Sequence, residues 1–158
     1  GPAYYKRYPK DFEKFLPVSK TNQLEECTNE EISNAYDNAI LYTDYFLSKV
    51  INFLKNYSKD FETVMFYVSD HGESLGENGL YLHGFPAFIA PDVQKHVGAI
   101  MWFGEKLDVD KNLLKKKLDT YFTHENFFHT ILGFFEVNTD LYNTKLDILT
   151  NCYSDDKS

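Results

Sequence analysis

No run of apolar residues approaches the ~20 needed to cross a bilayer, and no apolar leader follows the opening GPAYYKRYPK. Basic charge is scarce: 16 Lys and Arg stand against 24 Asp and Glu, for a formal net charge of −8. A chain without a basic surplus cannot neutralise phosphates along a nucleic acid, so no nucleic-acid partner is expected. The longest basic run, Lys115-Lys116-Lys117, sits in a helical pattern and reads as a solvated face. Only two cysteines occur, Cys27 and Cys152. They form no CxxC motif, which excludes zinc-ribbon and thioredoxin readings; a single disulfide and two separate thiols both stay open. There is no glycine-rich phosphate loop, no GxSxG elbow, no Cys–His nucleophile pattern, no internal repeat and no low-complexity stretch.

What is present is an ordinary globular composition. The 158 residues are 43% hydrophobic and 25% charged, enough for about one domain with a real core. Aromatics are abundant, with 14 Phe and 12 Tyr against one Trp. Such a core needs polar partners for its tyrosine hydroxyls. The chain lacks an initiating Met and reads as a piece of a longer protein.

Residues 1–27 are punctuated by Pro2, Pro9 and Pro17 and read as irregular, with one helical turn expected from Asp11 to Leu16. Thr28 followed by Glu31 is a capping box. From there Ile32, Ala35, Ala39, Tyr42, Phe46, Val50, Phe53 and Leu54 recur every three or four residues and predict one helix over 29–57. The β-branched and aromatic run 63–69 predicts a buried strand, and 97–103 a second. Between them, Gly72, Gly76, Gly79, Gly84, Pro86 and Pro91 prevent long regular elements. An amphipathic helix is expected over 113–122, and another from Thr123 to about Gly133. The polar tail from Asn138 to Ser158 is expected to fray. Strands alternating with helices indicate an α/β class with helices on the faces of the sheet, the remaining strands coming from other sequence.

Chemistry concentrates at the end of the first strand, in Ser69-Asp70-His71-Gly72 and the glycine-rich stretch returning to His83. Ligands gather beyond the carboxyl ends of strands in α/β sheets. Asp70 and His71 supply one hard oxygen and one imidazole nitrogen, a mix that suits zinc. Two donors leave a zinc shell incomplete, so the others must come from elsewhere. Glu73 and Glu77 are acid–base candidates, equally readable as a solvated face. His96 precedes the second strand and could approach the site. His124 and His129 fall in the last helix and read as core or surface residues.

The segment SDHGESLGENGLYLHGFP resembles the strand-end signature of the alkaline phosphatase/sulfatase superfamily. Its continuation IAPDVQKHV, the opening GPAYYKRYPKDFEKFLPV, NAYDNAILYTDYF and THENFFHTILGFF are similar to the phosphoethanolamine transferases, up to about residue 137. The resemblance implies a three-layer α/β/α sandwich of alkaline phosphatase/sulfatase type, of which residues 1–158 form the C-terminal portion. It implies transfer of phosphoethanolamine from phosphatidylethanolamine to lipid A, lipooligosaccharide or another acceptor such as a protein. The reaction would pass through a zinc-bound phospho-threonine, at the periplasmic face of the bacterial inner membrane. Asp70 and His71 match two zinc ligands; His83 matches a histidine that contacts the transferred phosphate or a second zinc and serves catalysis and substrate binding. The implied partners are the N-terminal part of the same catalytic domain and, through an absent transmembrane domain, the membrane.

Three departures accompany the resemblance. None of Thr21, Thr28, Thr43, Thr63 or Thr123 matches the family's nucleophile, so none is assigned. A family histidine directly precedes the Gly-Pro pair, which makes Gly1-Pro2 read as native. Many relatives pair a cysteine near position 19 with one at 27; Ser19 stands here, leaving Cys27 free or joined to Cys152. The rival readings are a sulfatase or phosphodiesterase of the same superfamily and a non-catalytic binding module.

Overall fold

A computed structural model describes residues 3–86 and 88–153, arranged as two compact units, 1–104 and 105–158. The expectations for Gly1-Pro2 and for the end of the tail, 154–158, lie outside the described residues.

The first unit is organised by α1, Asn29–Tyr57. Its start is fixed as the sequence predicts. Thr28 Oγ1 accepts from the Glu31 amide at 3.2 Å, and Glu31 Oε2 accepts from the Thr28 amide at 2.9 Å, so two otherwise orphaned donors are satisfied. One face of α1 buries Ile32 and Ala35 against Tyr4, Val18 and Leu24. The preceding segment is pinned to that helix by Asn38, which is fully buried. Asn38 Oδ1 accepts from the amides of Lys14 and Phe15 at 2.7 and 2.9 Å, and its Nδ2 donates to the Phe15 carbonyl at 3.0 Å. Those bonds take up amides that a helical turn would need. The turn expected over 11–16 is therefore a 3-10 turn, Lys10–Phe12.

The strand β1, Val64–Val68, pairs antiparallel with β4, Ala99–Phe103, Val64 facing Phe103 and Val68 facing Ala99. Both were expected to be buried. Only Met65 and Phe103 are; Ala99 and Ile100 are exposed. Two strands cover little of each other's surface, so their apolar faces stay partly open. Between them lie a hairpin, β2 Ser74–Leu75 with β3 Tyr81–Leu82, and a short helix α2, Asp92–Lys95.

In the second unit, α3 spans Lys111–Lys115 and α4 spans His124–Phe134. The predicted helix 113–122 is thus shorter and starts earlier. Asp110 caps it by accepting from the amides of Asn112 and Leu113. Lys117 leaves the solvated face assigned to the lysine run: its Nζ donates to the carbonyls of Ile148 and Thr150. The tail does not fray from Asn138. Leu149 and Cys152 are fully buried, and Thr130 Oγ1 accepts from the Ile148 amide at 2.9 Å. Cys27 and Cys152 are both free thiols.

Candidate metal and phosphate site

Antiparallel pairing continues past β1, because the Ser69 amide donates to the Gly98 carbonyl at 3.1 Å. The chain then turns sharply at Asp70-His71-Gly72. Ser69 Oγ donates to the His71 carbonyl at 2.9 Å, and Asp70 Oδ1 accepts from the His71 amide at 3.1 Å. Gly72 is needed here. Its amide donates to the Gln94 carbonyl at 3.0 Å, and a Cβ would run into the backbone of Val93. The turn is thus packed directly on α2. A second tie is the buried hydrogen bond from Gln94 Nε2 to Ser74 Oγ at 2.8 Å.

The return to His83 is a matter of register. Ser74 faces Leu82 and Leu75 faces Tyr81, so the next position in that register sets Glu73 opposite His83. The turn between needs left-handed backbone at Gly76, Asn78 and Gly79, which glycine and asparagine supply most cheaply. Glu77 closes it, its Oε2 accepting from the Leu75 amide at 2.8 Å.

Three side chains meet as a result, His71, Glu73 and His83, with Asp70 at their edge. The His71 and His83 rings lie against each other, tilted by 31°, with centroids 3.6 Å apart. His71 Nδ1 is 2.9 Å from the Gly72 carbonyl. A carbonyl only accepts, so Nδ1 carries a proton, and Nε2 is the ring nitrogen left for another partner. That Nε2 lies 3.8 Å from Asp70 Oδ2, and the Asp70 side chain is 89% exposed. His83 Nδ1 lies 3.1 Å from Glu73 Oε1, and the Glu73 side chain is only 6% exposed. Ligand atoms of His71, Glu73 and His83 all fall within 4.8 Å of one another. Beside them is a polar cavity of about 360 Å³ bordered by Tyr4, Arg7, Tyr36, Asp70, His71, Glu73 and His83.

His71 and His83 lie together, and Asp70 stands beside His71 but outside the group of possible metal donors formed by His71, Glu73 and His83. Glu73 belongs with them, and its burial rules out a solvated face. The sequence signal for it was the hairpin register, visible only once the turn at 76–79 is placed. Glu77 is a turn-closing residue. His96 lines a neighbouring cleft of about 610 Å³ with Tyr36, Leu47, Tyr67 and Val93 but joins no donor group among the described residues. In the second unit, His129 is buried and its Nδ1 accepts from the Asn143 amide at 3.2 Å, a core role; His124 lies exposed at the start of α4.

Comparison with known proteins gives a consistent set of matches. A family model described as Sulfatase matches residues 1–137. Phosphoethanolamine transferase EptA of Escherichia coli K12 is 47% identical over 157 residues, covering 96% of this chain and 29% of that protein. The crystal structure of the C-terminal periplasmic domain of phosphoethanolamine transferase EptC from Campylobacter jejuni superposes with a TM-score of 0.87 at 49% identity, covering 94% of this chain and 48% of that one. The integral membrane protein lipooligosaccharide phosphoethanolamine transferase A from Neisseria meningitidis superposes with a TM-score of 0.92 at 43% identity, covering 97% of this chain and 30% of that one. This chain thus spans under a third of the full-length relatives and about half of the periplasmic domain. Among the described residues no helix is long and apolar enough to cross a membrane.

Proposed function

The chain belongs to the sulfatase family, and from that premise we propose that it is the C-terminal part of the catalytic domain of a phosphoethanolamine transferase. In this reading Asp70 and His71 hold zinc, and His83 faces the phosphoryl group in transit. The α/β fold class expected from the sequence is that of the solved transferase domains it superposes on.

The observation that carries the reading is the approach of His71 Nε2 to Asp70 Oδ2. One nitrogen and one carboxylate oxygen stand 3.8 Å apart. Two donors on a tetrahedral zinc, with bonds of about 2.1 Å, are separated by roughly 3.4 Å. The donor types and their spacing therefore fit the ion with little rearrangement, and the Gly72 carbonyl behind Nδ1 is the usual outer support of a ligating histidine. Bound zinc would supply charge stabilisation at the phosphoryl oxygens and lower the pKa of a coordinated hydroxyl.

The residues of this chain then divide the work. Gly72 and Gln94 hold the turn rigid, so Asp70 and His71 keep one geometry. Glu73 accepts the Nδ1 proton of His83, which turns Nε2 of that ring outward. From there His83 contacts a phosphate oxygen or hands a proton to the leaving oxygen. The threonine nucleophile and the remaining zinc donors come, in this proposal, from the preceding part of the catalytic domain. The donor is phosphatidylethanolamine; the acceptor is lipid A, lipooligosaccharide or a protein, at the periplasmic face of the inner membrane.

The test uses the full-length protein and a fluorescent phosphatidylethanolamine. Asp70→Ala and His71→Ala should lose zinc and transfer together, whereas His83→Ala should lose transfer and keep the metal. Turnover by residues 1–158 alone, or zinc retained in both ligand variants, would refute the assignment.

A further inference from the structure

Two polar atoms beside this site are buried without a hydrogen-bond partner among the described residues: the Tyr4 hydroxyl and Glu73 Oε2. A buried donor or acceptor left unsatisfied is costly. Two such orphans side by side, one a donor and the other an acceptor, are complementary. They are neighbours: Tyr4 borders the same polar cavity as Glu73, and the Glu73 carboxylate is among the groups that, after burial, push the Tyr4 phenol upward. Tyr4 is also anchored. It is 1% exposed, packs edge-on against Tyr36 with ring centroids 5.3 Å apart, and belongs to the core formed with Val18, Leu24, Ile32 and Ala35.

We propose that Tyr4 is a positioning residue whose hydroxyl donates to Glu73 Oε2, directly or through one water, so that Glu73 Oε1 is held on His83 Nδ1. The chain of contacts runs from the α1 core through Tyr4 and Glu73 to the outward-facing Nε2 of His83. Glu73 sits on the strand side of a hairpin with only two residue pairs, too short to fix a carboxylate rotamer by itself. A rigid phenol behind it supplies the missing constraint. The role assigned to His83 rests on the transferase reading; the Tyr4–Glu73–His83 linkage does not.

The linkage is tested first in the complete catalytic domain, without metal or substrate, by long-range ¹H–¹⁵N correlation of the histidine rings at one fixed pH. Wild type should show His83 as a single tautomer protonated at Nδ1, and a slowly exchanging Tyr4 hydroxyl proton. Tyr4→Phe keeps the ring in the core and should leave His83 as a mixture of tautomers. Glu73→Gln offers its oxygen to His83 or to Tyr4 but not to both, so one of the two signals should vanish. This variant gives the answer even if Tyr4→Phe fails to fold. In the full-length transferase, Tyr4→Phe should lower kcat about tenfold with KM unchanged, the size of loss common for groups that orient a ligand, and should add nothing in a Glu73→Gln background. A His83 tautomer unchanged in Tyr4→Phe, or both signals intact in Glu73→Gln, would overturn the proposal. So would full additivity of the two substitutions in kcat. Absence of transfer by the wild-type protein, together with an NMR linkage that behaves as expected, would fault the transferase reading instead.

Discussion

Replacing Gly72 by alanine tests how the site is held. The Cβ would fall well inside van der Waals contact with the Val93 carbonyl, and it would also lie 3.0 Å from Val93 C and 3.2 Å from Gln94 Cα. All three atoms are backbone, so no side chain can swing aside. Relief requires the turn and α2 to part by about 1 Å, which overpacking studies place at roughly 1–3 kcal/mol. The same movement stretches the Gly72 amide bond to Gln94, now 3.0 Å, adding about 1 kcal/mol. The total is about 2–4 kcal/mol. With a urea m-value of about 2 kcal/mol per molar, the midpoint should fall by about 1–2 M. Trp102, the only tryptophan, lies on β4 in the same unit, so its fluorescence reports this transition. Gly98→Ala is the control: nothing lies within 4 Å of its Cβ, and its φ is not in the left-handed region. Gly72→Ala with the midpoint of wild type, or no less stable than Gly98→Ala, would show that the turn is not clamped on α2.

Four further outcomes follow from the geometry. Thr28→Ala should cost about 1 kcal/mol of stability, the usual worth of an N-cap, measured by urea denaturation. Separately, the Thr28 backbone amide first and its hydroxyl second hold the Glu31 carboxyl below its ordinary value, so the stability linked to that carboxyl is complete above the unfolded-state pKa and is lost as pH falls through the lowered folded one. An acid titration that destabilises wild type and Glu31→Gln equally would contradict it. Ser19 Oγ lies 3.1 Å from Cys27 Sγ, so Ser19→Cys should form a disulfide on mild oxidation and stabilise by about 2.5 kcal/mol for a loop this short; thiol counting that still finds both cysteines reduced would rule this out. In the second unit, burial and the hydrogen bond to Asp147 push Tyr142 up to about 12. A raised phenol stabilises the fold below pH about 10 and loses that stability between there and about 12. Tyr142→Phe should therefore flatten alkaline unfolding followed by circular dichroism, and an unchanged profile would disprove it.

The long helix was legible because its signals are local: a capping box and an apolar stripe of constant period. The two strands were placed within two residues, but their burial was not, since a run of β-branched and aromatic residues records a covered sheet and cannot say which polypeptide covers it. The short helix α3 was overextended because Lys117 looks like a solvated position until the carbonyls of Ile148 and Thr150, some thirty residues away, are brought to it. The same limit applies to the site. Asp70, His71 and His83 could be read from residue type and strand-end position. Glu73 could not be separated from an exposed carboxylate without the hairpin register, and Tyr4 gave no sign beyond its bulk, because its tie to the site passes through the α1 core.

The central claim is most directly tested by a crystal of the full catalytic domain grown with zinc and measured at the zinc absorption edge. The account predicts an anomalous peak bonded to both Asp70 Oδ2 and His71 Nε2, with Glu73 still on His83 Nδ1. A peak bonded to Glu73 and His83 with Asp70 uninvolved, or no peak at this turn, would contradict it.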